Sequence, residues 1–224
     1  HSCLLSKQYQ CVLDAFHRMV ALNAESAESD MLVGEALDEM KDTFGATKEF
    51  RAAIAANPKE PNVHFGLGYL LWTQGHANEA AAEFQAELDN DPEHIQAMLY
   101  LADSRIQMNQ MGNARPLLEK VVKIDSANPM GRLDMGIVYA DAGRNEEALR
   151  ELKAAAQLDP NGANVHWRLF QLYRSMGKTA EANAELAKTK RIDKASREGL
   201  VNVMSRVSKQ GSVHKGANGA AAEK

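Results

Sequence analysis

The sequence of 224 residues has little of several features that define common protein classes. Its two cysteines, Cys3 and Cys11, are too few for a disulfide framework. If both lay in one helix, their Cα atoms would be about 12 Å apart, beyond the reach of a disulfide bond, so we expect two thiols. No stretch approaches the roughly 18 apolar residues of a membrane-spanning helix, and no export signal is visible. Membrane insertion is therefore not expected, and the compartment stays open.

Prolines (6) and aromatic residues (6%) are also scarce, whereas 45% of the residues are hydrophobic and 25% are charged, which is typical of a folded chain. The net charge of −4 is unevenly distributed. Residues 1–185 carry 17 basic and 27 acidic side chains, whereas residues 186–224 carry 9 basic and 3 acidic side chains. An acidic body disfavours nucleic acid as a partner. Since residues 186–209 lack interleaved aromatics, we interpret that basic segment as a solvated helix.

An internal repeat organises the chain, because the sequence realigns with itself at an offset of 34 residues. In each unit the twentieth residue is alanine, the twenty-fourth is large and apolar, and the seventh is apolar. The eighth residue is small in four of the five units, and proline stands near three of the unit ends. The predicted units cover 27–60, 61–94, 95–128, 129–162 and 163–196, and their alanines are Ala46, Ala80, Ala114, Ala148 and Ala182.

Each unit is predicted to be an antiparallel pair of helices joined by a turn. We expect the small residue of the first helix to face the alanine of the second, so that the two helices approach closely. This pattern resembles the tetratricopeptide repeat family, and the resemblance implies an all-α, right-handed α-solenoid. The family's tryptophan at the fourth position of the unit is missing. Its place is taken by Asp30, His64, Met98, Arg132 and His166.

The ends of the chain follow the same phase. Residues 1–26 are predicted to hold the second helix of a truncated upstream repeat. Residues 197–209 have apolar residues at helical spacing, which predicts a C-terminal helix that caps the last repeat. Residues 210–224 show no apolar periodicity and are expected to form a flexible tail.

We find no catalytic, cofactor or metal constellation in the sequence. The seven histidines contain no pair at the spacing of three or four residues that places two ligands on one helix face. The repeat already accounts for the glycine pair Gly66 and Gly68, which would otherwise suggest a nucleotide loop. We therefore expect no enzymatic activity, no cofactor and no metal ion.

The resemblance also implies that the first helices of successive units line a concave groove. The aromatic residues among them favour ligand contact, whereas the aliphatic residues could equally be packing between repeats. The residues expected to bind a peptide are Glu35, Phe65, Tyr69, Trp72, Leu99, Asp103, Ile106, Leu133, Ile137, Trp167, Gln171 and Arg174.

Acidic residues surround this aromatic floor, among them Asp38 and Glu39 beside Glu35. Such a rim favours a protein or peptide partner with apolar and basic side chains. A subgroup of the family clamps the C-terminal carboxylate of chaperone tails with lysine, asparagine and arginine. This chain has Met31, Glu35, Phe65, Tyr69, Leu99 and Asp103 at those places, so we do not expect it to bind such tails.

Three hypotheses for the function remain open. The first is a non-catalytic scaffold that binds a peptide or helix of a partner protein in the groove. The second is a structural role, either as part of a longer solenoid or in self-association through Leu5, Val12, Phe16 and Met19 of the truncated repeat. The third is recruitment for a larger enzyme whose catalytic domain lies elsewhere. The partner itself is not identified by the sequence.

Overall fold

The computed structural model describes residues 8–21 and 26–217, without the side chains of residues 16, 17, 19–21 and 199–217. This part of the chain forms eleven helices and no strand. They are α1 (Tyr9–Ala21), α2 (Ala27–Glu39), α3 (Thr43–Ala56), α4 (Val63–Thr73), α5 (Ala77–Asn90), α6 (Ile95–Gln107), α7 (Met111–Ile124), α8 (Pro129–Asp141), α9 (Asn145–Leu158), α10 (Ala163–Ser175) and α11 (Thr179–Ala217).

The helices follow the 34-residue repeat closely. The second helices of the five units, α3, α5, α7, α9 and α11, each begin 34 residues after the one before, and each packs against the first helix of its own unit. The turn between the two helices reverses the chain through one residue with a positive φ: Gly75, Gly143 and Gly177 in three units, and Lys41 and Asn109 in the other two. The predicted all-α solenoid of antiparallel helix pairs is confirmed.

Close packing within a unit depends on small residues, as the sequence predicted, although the contact differs in detail. The alanines at the twentieth position are buried in every unit. The glycine on the first helix, however, packs against the large residue at the twenty-fourth position rather than against the alanine. A Cβ atom added to Gly68 would lie 2.8 Å from the Phe84 ring, and one added to Gly136 would lie 2.6 Å from Leu152 Cγ. The glycine therefore makes room for the large side chain.

A polar pair between the two helices of a unit replaces the missing tryptophan of the fourth position. The His64 Nδ1 atom lies 2.6 Å from Glu83 Oε2, and His166 Nδ1 lies 2.6 Å from Glu185 Oε2. Arg132 Nη1 lies 2.7 Å from Glu151 Oε2 at the equivalent place in the fourth unit. In the third unit, Met98 and Leu117 occupy the two positions and belong to one apolar cluster. These positions thus join the two helices of a unit by either polar or apolar contact.

The N-terminal helix α1 packs on α2, where Val12 is buried against Val33 and Ala36. Of the residues expected to drive self-association, Val12 is therefore covered, while Leu5 and the side chains of Phe16 and Met19 lie outside the described residues. The expectation of two free thiols is wrong for Cys11, which is disulfide-bonded. Cys3 lies outside the described residues.

The C-terminal region differs from the predicted arrangement of a separate cap and a flexible tail. Helix α11 runs without a break from Thr179 to Ala217, through the predicted cap at 197–209 and into the predicted tail at 210–224. No proline occurs after Pro160, so the segment lacks the residue that ends helices most strongly. Residues 218–224 lie outside the described residues, and the domain boundaries of this region stay a prediction.

Candidate functional site

An aromatic cluster joins the second and third units on the side formed by the first helices. The rings of Phe65, Tyr69 and Trp72 on α4 follow one another, with centroids 6.2 and 5.9 Å apart. Tyr100 on α6 lies against all three, with centroid distances of 6.0, 5.3 and 4.9 Å. Residues four and three apart share one face of a helix, which accounts for the row on α4. The structure thus brings together three of the four aromatic residues predicted to bind a ligand.

Two hydrogen bonds hold the carboxylate of Asp103 beside this cluster. The indole N–H of Trp72 donates to Asp103 Oδ2, and the side-chain amide of Gln107 donates to the same oxygen at 2.6 Å. Trp72 and Asp103, both predicted site residues, are therefore bonded to each other across neighbouring units. Their polar groups are hydrogen-bonded to each other within the protein. Trp72 and Asp103 therefore shape the groove more than they offer free polar groups to a ligand.

The start of α4 is held by contacts from later residues of the chain. Asn62 precedes the helix in a left-handed conformation, with φ 66°, and its side chain does not cap the helix. Instead, the buried carboxylate of Glu87 on α5 accepts the backbone N–H groups of Asn62 and Phe65, each at 3.0 Å. His94 accepts the N–H of Ala97 through Nδ1, so its Nε2–H donates to Asn62 Oδ1 at 2.8 Å. The His94 ring also covers Phe65, with centroids 4.9 Å apart.

A cavity of about 460 Å³ opens between the first two units, and we call it the N-terminal cavity. Its walls combine aromatic rings with carboxylates. The residues of interest are Tyr9 on α1, Glu35, Asp38 and Glu39 on α2, and Phe65 and Tyr69 on α4. The Tyr9 hydroxyl donates to Glu39 Oε2 at 3.3 Å. Desolvation by the surrounding protein raises the pKa of Glu35, although part of its side chain remains exposed. The predicted residues Glu35, Phe65 and Tyr69 therefore line one space.

The remaining predicted site residues that are not fully buried lie in the fourth and fifth units. Ile137 and Gln171 line a second cavity, of about 290 Å³, between α8 and α10. Trp167 is 41% exposed, and its ring packs on Phe170 with centroids 5.0 Å apart. The Arg174 guanidinium lies 5.7 Å from the centroid of the same Phe170 ring. Trp167 makes no ring contact with the Phe65 cluster among the described residues, so the aromatic positions form two separate groups.

Three of the predicted aliphatic site residues are buried in the hydrophobic core. Leu99, Ile106 and Leu133 are 3%, 9% and 8% exposed. They lie on first helices where neighbouring units pack against each other, and that packing leaves them little surface for a ligand. The structure thus favours the interpretation of these positions as packing between repeats.

Several polar atoms without a hydrogen-bond partner lie in the interior of the described residues, and sequence reasoning did not find them. Asp134 on α8 is 2% exposed, and its Oδ2 atom has no hydrogen-bond partner among the described residues; the same holds for Oγ of the buried Ser104 and for Nε of Arg168. Burial raises the pKa of Asp134 well above its ordinary value, the charge of Asp103 raises it further, and Arg168 lowers it in part. Arg168 also lines the second cavity.

Sequence reasoning missed Tyr9, Tyr100, Glu87 and Asp134 as contributors to this region. Tyr100 occupies the sixth position of its unit, which is not a groove position in the resemblance. Glu87 occupies a position held by Ala53, Val121 and Ala155 in other units. An unmatched charge among apolar residues was the one signal that could have identified it. Neither Tyr100 nor Asp134 could be placed without the packing of successive units.

Within the described residues, no group of three or more histidine, cysteine or acidic side chains could hold a metal ion. The same residues contain no helix with the length and apolar character needed to span a membrane.

Comparisons with known proteins agree with this architecture. Tetratricopeptide repeat models match residues 34–95, 65–129 and 139–199. The TPR repeat-containing thioredoxin TTL4 of Arabidopsis thaliana is 29% identical over 126 residues, which are 55% of this chain and 17% of that protein. Anaphase-promoting complex subunit 3 of Schizosaccharomyces pombe is 21% identical over 174 residues, or 78% of this chain and 26% of that protein. The chain thus spans about a quarter or less of these two curated relatives.

Solved structures show the same fold. YrrB, described as a TPR protein with an unusual peptide-binding site, superposes with a TM-score of 0.66 and is 21% identical, covering 80% of this chain and 92% of its own. MamA from Desulfovibrio magneticus RS-1 superposes with a TM-score of 0.67 and is 18% identical, covering 75% of this chain and 96% of its own.

Proposed function

The chain belongs to the tetratricopeptide repeat family, and on that premise we propose that it is a non-catalytic scaffold for protein–protein interaction. In this proposal a peptide or a helix of a partner protein lies along the first helices and contacts their exposed aromatic residues. The observation that carries the proposal is the N-terminal cavity, in which aromatic and acidic side chains of three helices line one open space. Aromatic residues that stay exposed on a rigid surface are typical of binding hot spots.

Two exposed aromatic side chains are the proposed anchors of the partner. Tyr69 is 37% exposed at the N-terminal cavity, and Trp167 is 41% exposed on α10. Phe65 is largely enclosed by Tyr69, Phe84, His94 and Tyr100, so its truncation would damage the fold as well as the groove. Tyr69 and Trp167 are therefore the better residues for a test.

The test is a selection from a library of displayed linear peptides on the complete chain and on a Tyr69→Ala/Trp167→Ala variant. The matched control is Phe44→Ala, because Phe44 is 84% exposed but lies on α3, a second helix. We expect the native chain and the control to enrich the same consensus and the double variant to lose it. Thermal unfolding followed by circular dichroism checks that all three chains are folded.

Enrichment that survives in the double variant, or that is lost equally in the Phe44→Ala control, would contradict a binding site on the first helices. If no folded chain enriches a peptide, the self-association hypothesis becomes the leading one. Light scattering would then show a dimer, and Phe16→Glu would disrupt it.

The proposal excludes one familiar kind of ligand. A peptide that ends in Glu-Glu-Val-Asp with a free carboxylate would bring negative charge to a groove that presents Glu35 and Asp103 at the places where a carboxylate clamp needs basic or amide groups. Calorimetry with this peptide should detect no binding. Measurable affinity that Tyr69→Ala abolishes would refute this part of the proposal.

A further inference from the structure

The N-terminal cavity has an uncompensated negative charge. Glu35, Asp38 and Glu39 all line it, and no lysine or arginine is among the lining residues in the described part of the chain. Elsewhere on the described surface the acidic side chains often have close basic partners, as in the pairs Arg115–Glu119 and Arg144–Glu147. The cavity therefore concentrates carboxylates, and none of the described residues that line it supplies a cation.

The individual carboxylates make few contacts. The side chains of Glu35 and Asp38 make no hydrogen bond or ion pair within the described part of the chain, and Glu39 accepts only the Tyr9 hydroxyl. Desolvation raises the pKa of Glu35, which means that the surrounding protein disfavours its charged form. A positive charge placed in the cavity would reverse this effect and would also reduce the repulsion among the three carboxylates.

Aromatic rings form the other side of the same cavity. Phe65 and Tyr69 are stacked with an interplanar angle of 27°, and Tyr9 faces the space from α1. The faces of aromatic rings attract ammonium and guanidinium groups, and they also pack on the methylene stems of lysine and arginine. Carboxylates and ring faces thus present the two kinds of group that a long basic side chain contacts.

We propose that the N-terminal cavity is the specificity pocket of the groove and binds a lysine or arginine side chain of the partner segment. The inference rests on the proposed function, because the partner's peptide delivers that side chain. The aromatic walls contact the methylene stem, and Glu35 and Asp38 contact the cationic head. A neutral or acidic side chain at the same position of the peptide is disfavoured because it leaves the carboxylates without compensation.

The pocket is tested without any partner, through nuclear magnetic resonance titration of the complete, isotope-labelled chain. The probes are N-acetyl-arginine methylamide and its neutral counterpart N-acetyl-norleucine methylamide. We expect the arginine probe to shift the resonances of Tyr9, Glu35 and Tyr69, and the norleucine probe to shift them much less. A Glu35→Gln/Asp38→Asn variant should bind the arginine probe about fivefold more weakly, as expected for the loss of two partly exposed charge contacts.

The control variant is Glu146→Gln/Glu181→Gln, which removes the same amount of charge from exposed first turns of α9 and α11. It should retain the native affinity for the arginine probe. The proposed pocket would be refuted if both probes shifted the resonances equally, or if the two variants bound the arginine probe equally weakly. The peptide selection tests the groove independently of the pocket. A peptide consensus without a basic residue would refute the pocket and would still support the groove as a binding site. Binding of the arginine probe without any peptide consensus would support the pocket and would refute the groove as a site for linear peptides.

Discussion

The carboxylate of Glu87 on α5 accepts a hydrogen bond of 3.0 Å from the backbone N–H of Phe65 on α4. Its other oxygen accepts the N–H of Asn62 at the same distance. The Phe65 N–H lies in the first turn of α4 and the Asn62 N–H directly precedes it, at the end where a helix has no acceptors of its own and carries partial positive charge. A buried residue of the second helix thus supplies the cap that Asn62 does not provide, and it fixes the end of the helix from which the groove aromatics project.

Replacing Glu87 with alanine should therefore lower the free energy of unfolding by about 1–3 kcal/mol, because two partly buried N–H groups lose their acceptor. Urea denaturation measures the change. Asp89→Ala on the same helix is the control, since Asp89 is exposed and accepts only the side chain of Gln85. If Glu87→Ala loses no more stability than the control does, water replaces the Glu87 carboxylate as the acceptor of the two N–H groups.

The ion pair between Arg132 and Glu151 can be tested by replacing it with the apolar pair that the third unit has at the same two positions. Arg132→Met alone should destabilise the chain by about 1–3 kcal/mol, because it leaves the largely buried Glu151 carboxylate without its partner. The double variant Arg132→Met/Glu151→Leu recreates the apolar pair of Met98 and Leu117 and should recover most of the loss. A double-mutant cycle measured in urea tests this coupling. Additive effects of the two substitutions would contradict it.

The tight approach of Gly136 to Leu152 predicts an unusual effect for a glycine in a helix. Replacing glycine with alanine inside a helix ordinarily stabilises a protein by about 0.5–1 kcal/mol. At position 136 the new Cβ atom would clash with a side chain that is buried in the core, so we expect a loss of about 1–3 kcal/mol.

The matched control is Gly112→Ala on α7, where an added Cβ atom would have no neighbour within 4 Å. This substitution should stabilise the chain. Thermal unfolding of both variants compares the two effects, and stabilisation by Gly136→Ala would show that α8 and α9 can separate without cost.

The buried carboxyl of Asp134 predicts how stability depends on pH. Burial, together with the charge of Asp103, raises its pKa in the folded chain above the ordinary value of 3.8. The folded state therefore holds the proton more tightly than the unfolded state does, and this group lowers stability as the pH rises from about 3.8 through the raised pKa. Below that window the contribution of Asp134 is neutral, and above it the full cost is present.

Asp134→Asn should remove this dependence, since the amide carries no charge at any pH. Urea unfolding from pH 3.5 to 8 should show the variant gaining stability relative to the native chain as the pH rises, with the difference levelling off above the raised pKa. Asp125→Asn, at the half-buried C-terminal cap of α7, is the control. A difference independent of pH would mean that Asp134 acts through its shape rather than through its charge.

Much of the fold was determined locally by the sequence. The small residue at the eighth position, the alanine at the twentieth and the large apolar residue at the twenty-fourth specify an antiparallel helix pair, because each contact lies within 34 residues. The repeat boundaries followed from the same pattern, and the second helices begin at the predicted interval. The pairing of two adjacent helices can be predicted from the sequence, because it depends only on the helical period and on the turn between them.

Contacts between units could not be predicted in the same way. The sequence placed Leu99, Ile106 and Leu133 on the groove side, but only the stacking of neighbouring first helices decided that they are buried there. The same stacking brought Tyr100 against Trp72 and placed Asp134 in the interior. The distance and rotation between successive units depend on the summed packing of many side chains, which no single position specifies.

By itself, then, the amino-acid sequence determined the class of the fold, the repeat and the acidic, aromatic character of one side of the solenoid. Only the tertiary structure decided which of these side chains share a space. Tyr9, Glu35 and Tyr69 lie on three different helices, and they line one cavity because α1, α2 and α4 pack in that order. A cavity is a property of the gap between packed elements, and its size follows from geometry that local residue patterns do not contain.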